Sequence, residues 1–209
     1  MGVQVMAVAS QRDNAAVRTP SVVLIAELRN FTSMSEMLDA ARVLALADQF
    51  FDCAAGALTA NGGEVIAVHN DSLLAAFRRG TPAEQALGAV RAALRMAADF
   101  DPVAQTWQRD YGLRVAIALG MHLGDAVFGE AGPAGQRNDV VFGDCVSIAE
   151  RLVHRARAGE LVLSHAVMAV SPIAELELDA QQLPPLELHN RPSLRIYGVL
   201  RNDRLDFTA

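Results

Sequence analysis

Apolar and polar positions change period several times along the chain, and each change marks an element. Ser21–Glu27 (SVVLIAE) is short, apolar and rich in β-branched residues, which predicts a buried strand ending on a carboxylate. From Thr32 to about Ala60 the spacing is helical. Ser33 and Ser35 are candidate caps, Glu36 stands three after Ser33 as in a capping box, and Asn61-Gly62-Gly63 ends the run. Glu64–Val68 and Ser72–Phe77 predict a hairpin around His69–Asp71. Gly80-Thr81-Pro82 opens a second helix to about Phe100, followed by a connection over Asp101–Asp110. Leu113–Met121 and Ala126–Phe128 read as strands split by a turn at Leu123-Gly124-Asp125. Gly129–Asn138 is a polar loop and Asp139–Phe142 a short strand. Asp144–Arg157 reads as a helix with Asp144 as N-cap, and Leu161–Leu163, Leu186–Leu188 and Leu194–Leu200 close the chain as strands. Strands mixed with helices predict an α/β sandwich, one sheet with helices packed on it. The expected organisation is a leader over 1–20, one domain over 21–200 and a tail over 201–209.

The bulk numbers narrow the partners. The chain has 209 residues, enough for one sizeable core, and its 52% apolar and 20% charged content is that of a globular domain. A net charge of -6 and a pI near 5.3 argue against a nucleic-acid or anionic-membrane surface. No run of consecutive apolar residues reaches a membrane span, and MGVQVMAVASQRDN lacks both a basic leader and the myristoylation pattern. Two unpatterned cysteines, Cys53 and Cys145, fit a reducing compartment, so a cytoplasmic protein is expected.

Candidate chemistry gathers in Val22–Phe77. Glu27 ends the first strand beside a Thr- and Ser-rich helix start, and Asp71 sits at the hairpin tip. Two acids at neighbouring strand tips, beside a helix N-terminus, suit divalent cations and a polyphosphate. Each feature alone is ordinary: a strand-end acid, an Asn-Asp turn, a helix cap. The five histidines show no zinc spacing.

Four landmarks occur in order: AELRNFT, GGEVIAVHND, ALGMHLGDAVFG and VVFGDCVSIAERL. Together they resemble the class III nucleotidyl (adenylate and guanylate) cyclases over roughly Val22–Val199. The resemblance implies a ferredoxin-like core with a mixed, mainly antiparallel sheet and helices packed on it. It also implies a reaction, attack of a ribose 3′-oxygen on the α-phosphorus of a nucleoside triphosphate, and a metal cofactor, Mg²⁺ or Mn²⁺.

Residue by residue, the family's two metal-binding aspartates correspond to Glu27 and Asp71. Glutamate keeps the charge but adds a methylene, and Mg²⁺ demands near-ideal octahedral geometry, so Mn²⁺ is expected to serve better. Phe31, Thr32 and Ser33 fall where the family wraps the phosphates with backbone N–H groups, and Asn30 replaces the usual glycine. The base-reading lysine and aspartate or threonine correspond to Ala67 and Val140, neither of which hydrogen-bonds a base edge. The ribose-orienting asparagine corresponds to Ser147 and the transition-state arginine to Arg151, four apart and so on one helical face. The resemblance implies head-to-tail dimers with sites shared between subunits, here a homodimer or a heterodimer with a more complete cyclase domain. The altered positions lead to two expectations. One is a divergent cyclase that turns over weakly or not at all. The other is an inactive cyclase-like module for nucleotide sensing, dimerisation or regulation.

Overall fold

The computed structural model describes residues 18–170, 176 and 178–200. The expected tail and all but the last three residues of the expected leader lie outside the described residues. β1 (Arg18–Arg29) runs through the middle of the sheet. Six consecutive residues, Ser21 to Ala26, and then Leu28 beyond Glu27, are almost fully buried because helices cover both faces. β2 (Glu64–His69) and β3 (Ser72–Phe77) form the expected hairpin, and β3 pairs antiparallel with β1. β4 (Ala116–Ala131) takes β1's other side, β5 (Asn138–Phe142) folds back on β4, and β6 (Glu160–Ser164) joins β4 in parallel. β7 (Ala180–Leu188) and β8 (Arg191–Leu200) complete an eight-stranded sheet in the order β2-β3-β1-β4-β6-β8-β7, with β5 off that path. The mixed, mainly antiparallel α/β architecture is the one expected.

One face packs on α2 (Ala40–Ala60) and α3 (Pro82–Tyr111), around Leu24, Phe50, Phe77, Met96 and Trp107. The other face carries α4 (Asp144–Arg155), around Val23, Ile25, Ile148 and Leu152. By length and mean hydropathy (1.3) α2 alone among the described residues meets the membrane-span criterion, yet its Leu46, Phe50, Ala54 and Leu58 stripe is core. α4 lies so close to the sheet that a Cβ on Gly120 would come within 2.2 Å of the Val153 backbone nitrogen. A short helix, α5 (His165–Met168), follows β6.

Several boundaries differ from expectation, each for a tertiary reason. The single helix expected over Thr32–Ala60 is two. α1 (Phe31–Met37) ends at Leu38, and Asp39 caps α2 by accepting from the Arg42 N–H at 3.0 Å. Asn30, not Ser33 or Ser35, is the N-cap of α1, and the Ser35 hydroxyl turns back to the Phe31 carbonyl. α3 absorbs the expected connection, Pro102 included, because Phe100 and Trp107 lock its last turns onto α2. Their rings meet edge-on at 5.4 Å, and the Trp107 indole donates to Gln49 at 3.1 Å. β4 runs straight through Leu123-Gly124-Asp125 because Ser21 and Pro20 of β1 pair with Gly124 and Asp125. Gly143 is the N-cap of α4, so Asp144 is its first residue, and the Asp144 carboxylate pairs with Arg191.

Candidate active site

Glu27 and Asp71 are brought together by strand register. Glu27 pairs with Ser72 across β1 and β3, and Asp71 immediately precedes Ser72 at the hairpin turn. The turn is clamped to β1 by a hydrogen bond from the Leu28 N–H to the Asp71 carbonyl at 2.8 Å, and Asn70 supplies the left-handed residue it needs (φ 49°). Asp71 is half-buried.

The Glu27 carboxylate is 17% exposed and already has company. Its Oε1 pairs with Arg29, and its Oε2 lies 3.7 Å from His154 Nε2. Arg29 also donates to the carbonyls of Val153 and Ala156 at the C-terminal end of α4, the second at 2.9 Å. One guanidinium therefore balances the strand-tip acid and satisfies helix-end carbonyls. Oε2 is the Glu27 oxygen that Arg29 leaves unclaimed. Among the described residues no group of three or more His, Cys, Asp or Glu could hold a metal by itself.

Asn30 holds φ 72°, a conformation that asparagine tolerates better than most residues, and its amide turns away to donate to the Arg114 carbonyl at 2.8 Å. The side chain therefore leaves the start of α1 clear. The first helical bond is Met34 N–H to Asn30 O at 3.2 Å, so the N–H groups of Phe31, Thr32 and Ser33 lie outside the ladder.

Ser147 and Arg151 share the exposed face of α4. Within this one chain they do not meet the two acids. Arg151 donates instead to the Glu187 main-chain carbonyl on β7, and two turns ahead Asp144 takes a two-pronged pair from Arg191, with one prong at 2.9 Å. It is His154, three residues after Arg151, that reaches Glu27.

Val140 borders a cleft between β2 and β5, whereas Ala67 is exposed on β2 and does not line it. Val140 lines a cavity of about 380 Å³ there, together with Glu64, Ile66, Arg78, Phe128 and Asp139. Two of these side chains were not anticipated from sequence. Glu64 accepts from Arg78 Nε at 2.8 Å, and that bond holds its carboxyl below the usual carboxylate range. The Arg78 guanidinium lies over the Phe128 ring, 4.9 Å from its centroid. An irregularity in β2 between Val65 and Ala67 shifts the register and puts Glu64 at this cleft. Nothing in the local sequence announces it.

On the face beneath α4, His122 is 8% exposed and its Nδ1 meets the Ser164 hydroxyl at 2.8 Å. Burial pushes its pKa down from 6.5 to about 4, with Asp144 opposing. Cys145 is buried nearby, its thiol facing the Asp125 carbonyl at 3.3 Å, and burial raises its pKa. This is a packed, neutral cluster rather than a reactive one.

Residues 15–199 match the adenylate and guanylate cyclase catalytic domain family. The adenylate cyclase of Anabaena cylindrica is 26% identical over 139 residues, which is 66% of this chain and 28% of that protein. The chain thus spans under a third of the length of the curated relatives it matches. Among solved structures, the adenylyl cyclase CyaB from P. aeruginosa superimposes with a TM-score of 0.80 at 20% identity, covering 90% of this chain and 97% of that one. The guanylyl cyclase Cya2 superimposes with a TM-score of 0.77 at 23% identity, covering 88% and 93%.

Proposed function

The chain belongs to the adenylate and guanylate cyclase catalytic domain family, and from that premise we propose that it binds a nucleoside triphosphate with a divalent metal and cyclises it weakly or not at all. The observation that carries this reading is the β1–β3 register, which pairs Glu27 with the residue after Asp71 and so keeps both acids at one strand end while the positions that orient the substrate are altered. The donor set fits a metal shared with a triphosphate. Glu27 Oε2 and the Asp71 carboxylate are hard oxygen donors, and Mg²⁺ or Mn²⁺ sites of this kind commonly take one or two carboxylates plus phosphate oxygens. When bound, such an ion supplies charge neutralisation at the phosphates and acidifies the attacking hydroxyl.

The chain's own residues do the rest. The free N–H groups at Phe31, Thr32 and Ser33 offer donors to phosphate oxygens. Arg151 carries a positive charge that its Glu187 carbonyl partner directs without neutralising, which suits a charge that develops in the transition state. Ser147 has a single short hydroxyl where a longer amide would hold the ribose, so orientation is poor and turnover is low.

Ser147 and Arg151 do not reach the acids within one chain, which supports sites shared across a head-to-tail homodimer or a heterodimer with a more complete cyclase domain. Exposed Phe142 (63%), Val68 (48%) and Val65 (40%) are apolar surface that such a partner would cover. A second reading is an inactive module for sensing, dimerisation or regulation, favoured by the Arg29 partner that Glu27 already has. Mass-spectrometric detection of cyclic products from ATP, GTP, CTP and UTP, with Mg²⁺ and with Mn²⁺, separates the two. Traces of product with Mn²⁺ are expected, whereas rapid Mg²⁺-supported turnover contradicts the proposal and no product at all leaves the inactive module. Light scattering across micromolar concentrations tests assembly, and a strict monomer counts against shared sites.

A further inference from the structure

Arg29 stands two residues after Glu27 on β1, so the two side chains leave the same face of the strand, the face whose Val23 and Ile25 pack under α4. Its Nη1 pairs with Glu27 Oε1. Its Nη2 donates to the main-chain carbonyls of Val153 and Ala156, the second at 2.9 Å. Those carbonyls lie at the C-terminal end of α4, where the helix dipole presents partial negative charge. Three acceptors on two elements therefore hold one guanidinium, and the fork cannot swing away from Glu27 without losing its bonds to α4. Arg29 is 22% exposed and Glu27 17%, so water screens this charge pair only in part. His154, the other group beside the carboxylate, approaches at 3.7 Å and is 66% exposed.

This fixed charge limits what the strand end accepts. Glu27 and Asp71 bring two negative charges, and with Arg29 fastened beside Glu27 the net charge there is a single negative one. A divalent cation arriving alone would leave positive charge uncompensated in a partly buried place, which is costly. A triphosphate arriving with the cation brings the negative charge that is missing. An ordinary solvated arginine would move aside for the cation, but the main-chain carbonyls of α4 keep this one in place.

We propose that Arg29 is a resident cation that keeps divalent metal off the Glu27 carboxylate until a triphosphate comes with it, so that metal and nucleotide enter together. The inference rests on the reading of the domain as a binder of metal and triphosphate. Arg29 touches neither ligand in this scheme; it acts through Glu27 and sets the metal affinity of that residue. The opposite role has the opposite sign. A side chain that merely orients a metal-ligating carboxylate strengthens metal binding, and its loss weakens it. A competing cation weakens metal binding, and its loss strengthens it.

The test uses the full 209-residue chain as wild type, Arg29→Met and Arg29→Lys. Binding of Mn²⁺ alone is read from the electron paramagnetic resonance signal of the free ion. Binding of preformed Mn²⁺ complexes of 3′-deoxy-ATP and 3′-deoxy-GTP, which lack the attacking hydroxyl, is read by calorimetry. Both variants lose the forked bonds to α4, but only Arg29→Met loses the charge. Arg29→Met should therefore bind Mn²⁺ alone at least about tenfold more tightly than the wild type, the effect of one neighbouring unit charge, while Arg29→Lys stays as weak as the wild type. Neither variant should gain affinity for the preformed complexes. The wild type should take a preformed complex at least about tenfold more tightly than Mn²⁺ alone, a comparison that stands even if a substitution disturbs folding. Mn²⁺ binding that is no tighter in Arg29→Met, or equally tight in Arg29→Lys and Arg29→Met, overturns the inference. So does a wild type that binds Mn²⁺ alone as tightly as the complexes, and each of these results leaves the proposed function standing. No binding of either complex by the wild type overturns both.

Discussion

Acidification from pH 7 to 5 should destabilise this domain through one buried histidine. His122 sits on β4 under α4, 8% exposed, with Nδ1 bonded to the Ser164 hydroxyl. Burial disfavours its charged form, so its folded-state pKa is about 4 against 6.5 when solvated, and nearby Asp144 offsets only part of the penalty. The folded pKa lies below the unfolded one, so the unfolded chain binds the proton first as pH falls. Stability is therefore full above pH 6.5 and is lost progressively down to about pH 4, below which both states are protonated. A difference of two and a half units corresponds to about 3 kcal/mol in all, of which about 2 kcal/mol is gone by pH 5. For a domain of this size that is a fall of roughly 4–8 °C in melting temperature. The assay is thermal unfolding by circular dichroism at intervals from pH 7.5 to 4.5, for the wild type and His122→Asn. The variant keeps a polar partner for Ser164 but does not titrate, so its profile should be flatter by about that amount. Asp110, Glu64 and Glu84 are held below the usual carboxylate range and lose stability at lower pH in both proteins. Their contribution cancels in the comparison. Parallel profiles, or a His122 ring that titrates near 6.5 by NMR, would refute the reasoning.

Two further predictions bear on α4. Gly120→Ala should cost roughly 1–3 kcal/mol, because a methyl group 2.2 Å from the Val153 nitrogen meets backbone that yields only if the helix retreats; a melting temperature within a degree of wild type contradicts this close approach. Arg151→Ala should lower product formation by at least about tenfold while changing Mn²⁺-triphosphate affinity little, since its charge is wanted mainly in the transition state. An equal loss in both would make Arg151 a ground-state binder instead.

The parts of the fold that follow from local pattern were legible in the chain. β1 was readable from its unbroken apolar run, the β2–β3 hairpin from Asn70-Asp71 between apolar segments, and α4 from its periodicity after Gly143. The resemblance supplied candidate roles for Glu27, Asp71, Ser147 and Arg151, and in the structure Glu27 pairs with Ser72, the residue after Asp71. What was not legible depends on long-range pairing. Gly124-Asp125 looks like a turn until Ser21 and Pro20 pair with it. Asp101–Asp110 looks like a connection until Trp107 docks on Phe100 and Gln49. Arg29 links Glu27 to the end of α4, 124 residues away, a contact that no local pattern marks. Glu64 was hidden for the same reason, because a register shift carries no residue signature of its own.

The most direct test of the central claim is titration of a nucleoside triphosphate into the wild type and Asp71→Ala, with Mn²⁺, with Mg²⁺ and with chelator. Asp71 is the hairpin-tip acid whose carbonyl is fixed to Leu28 at 2.8 Å, so its removal deletes one of the two carboxylates without disturbing the core. The account predicts binding by the wild type that requires metal, is stronger with Mn²⁺ than with Mg²⁺, and disappears in Asp71→Ala. Triphosphate binding that persists unchanged in Asp71→Ala would contradict it and remove the metal site from this cleft.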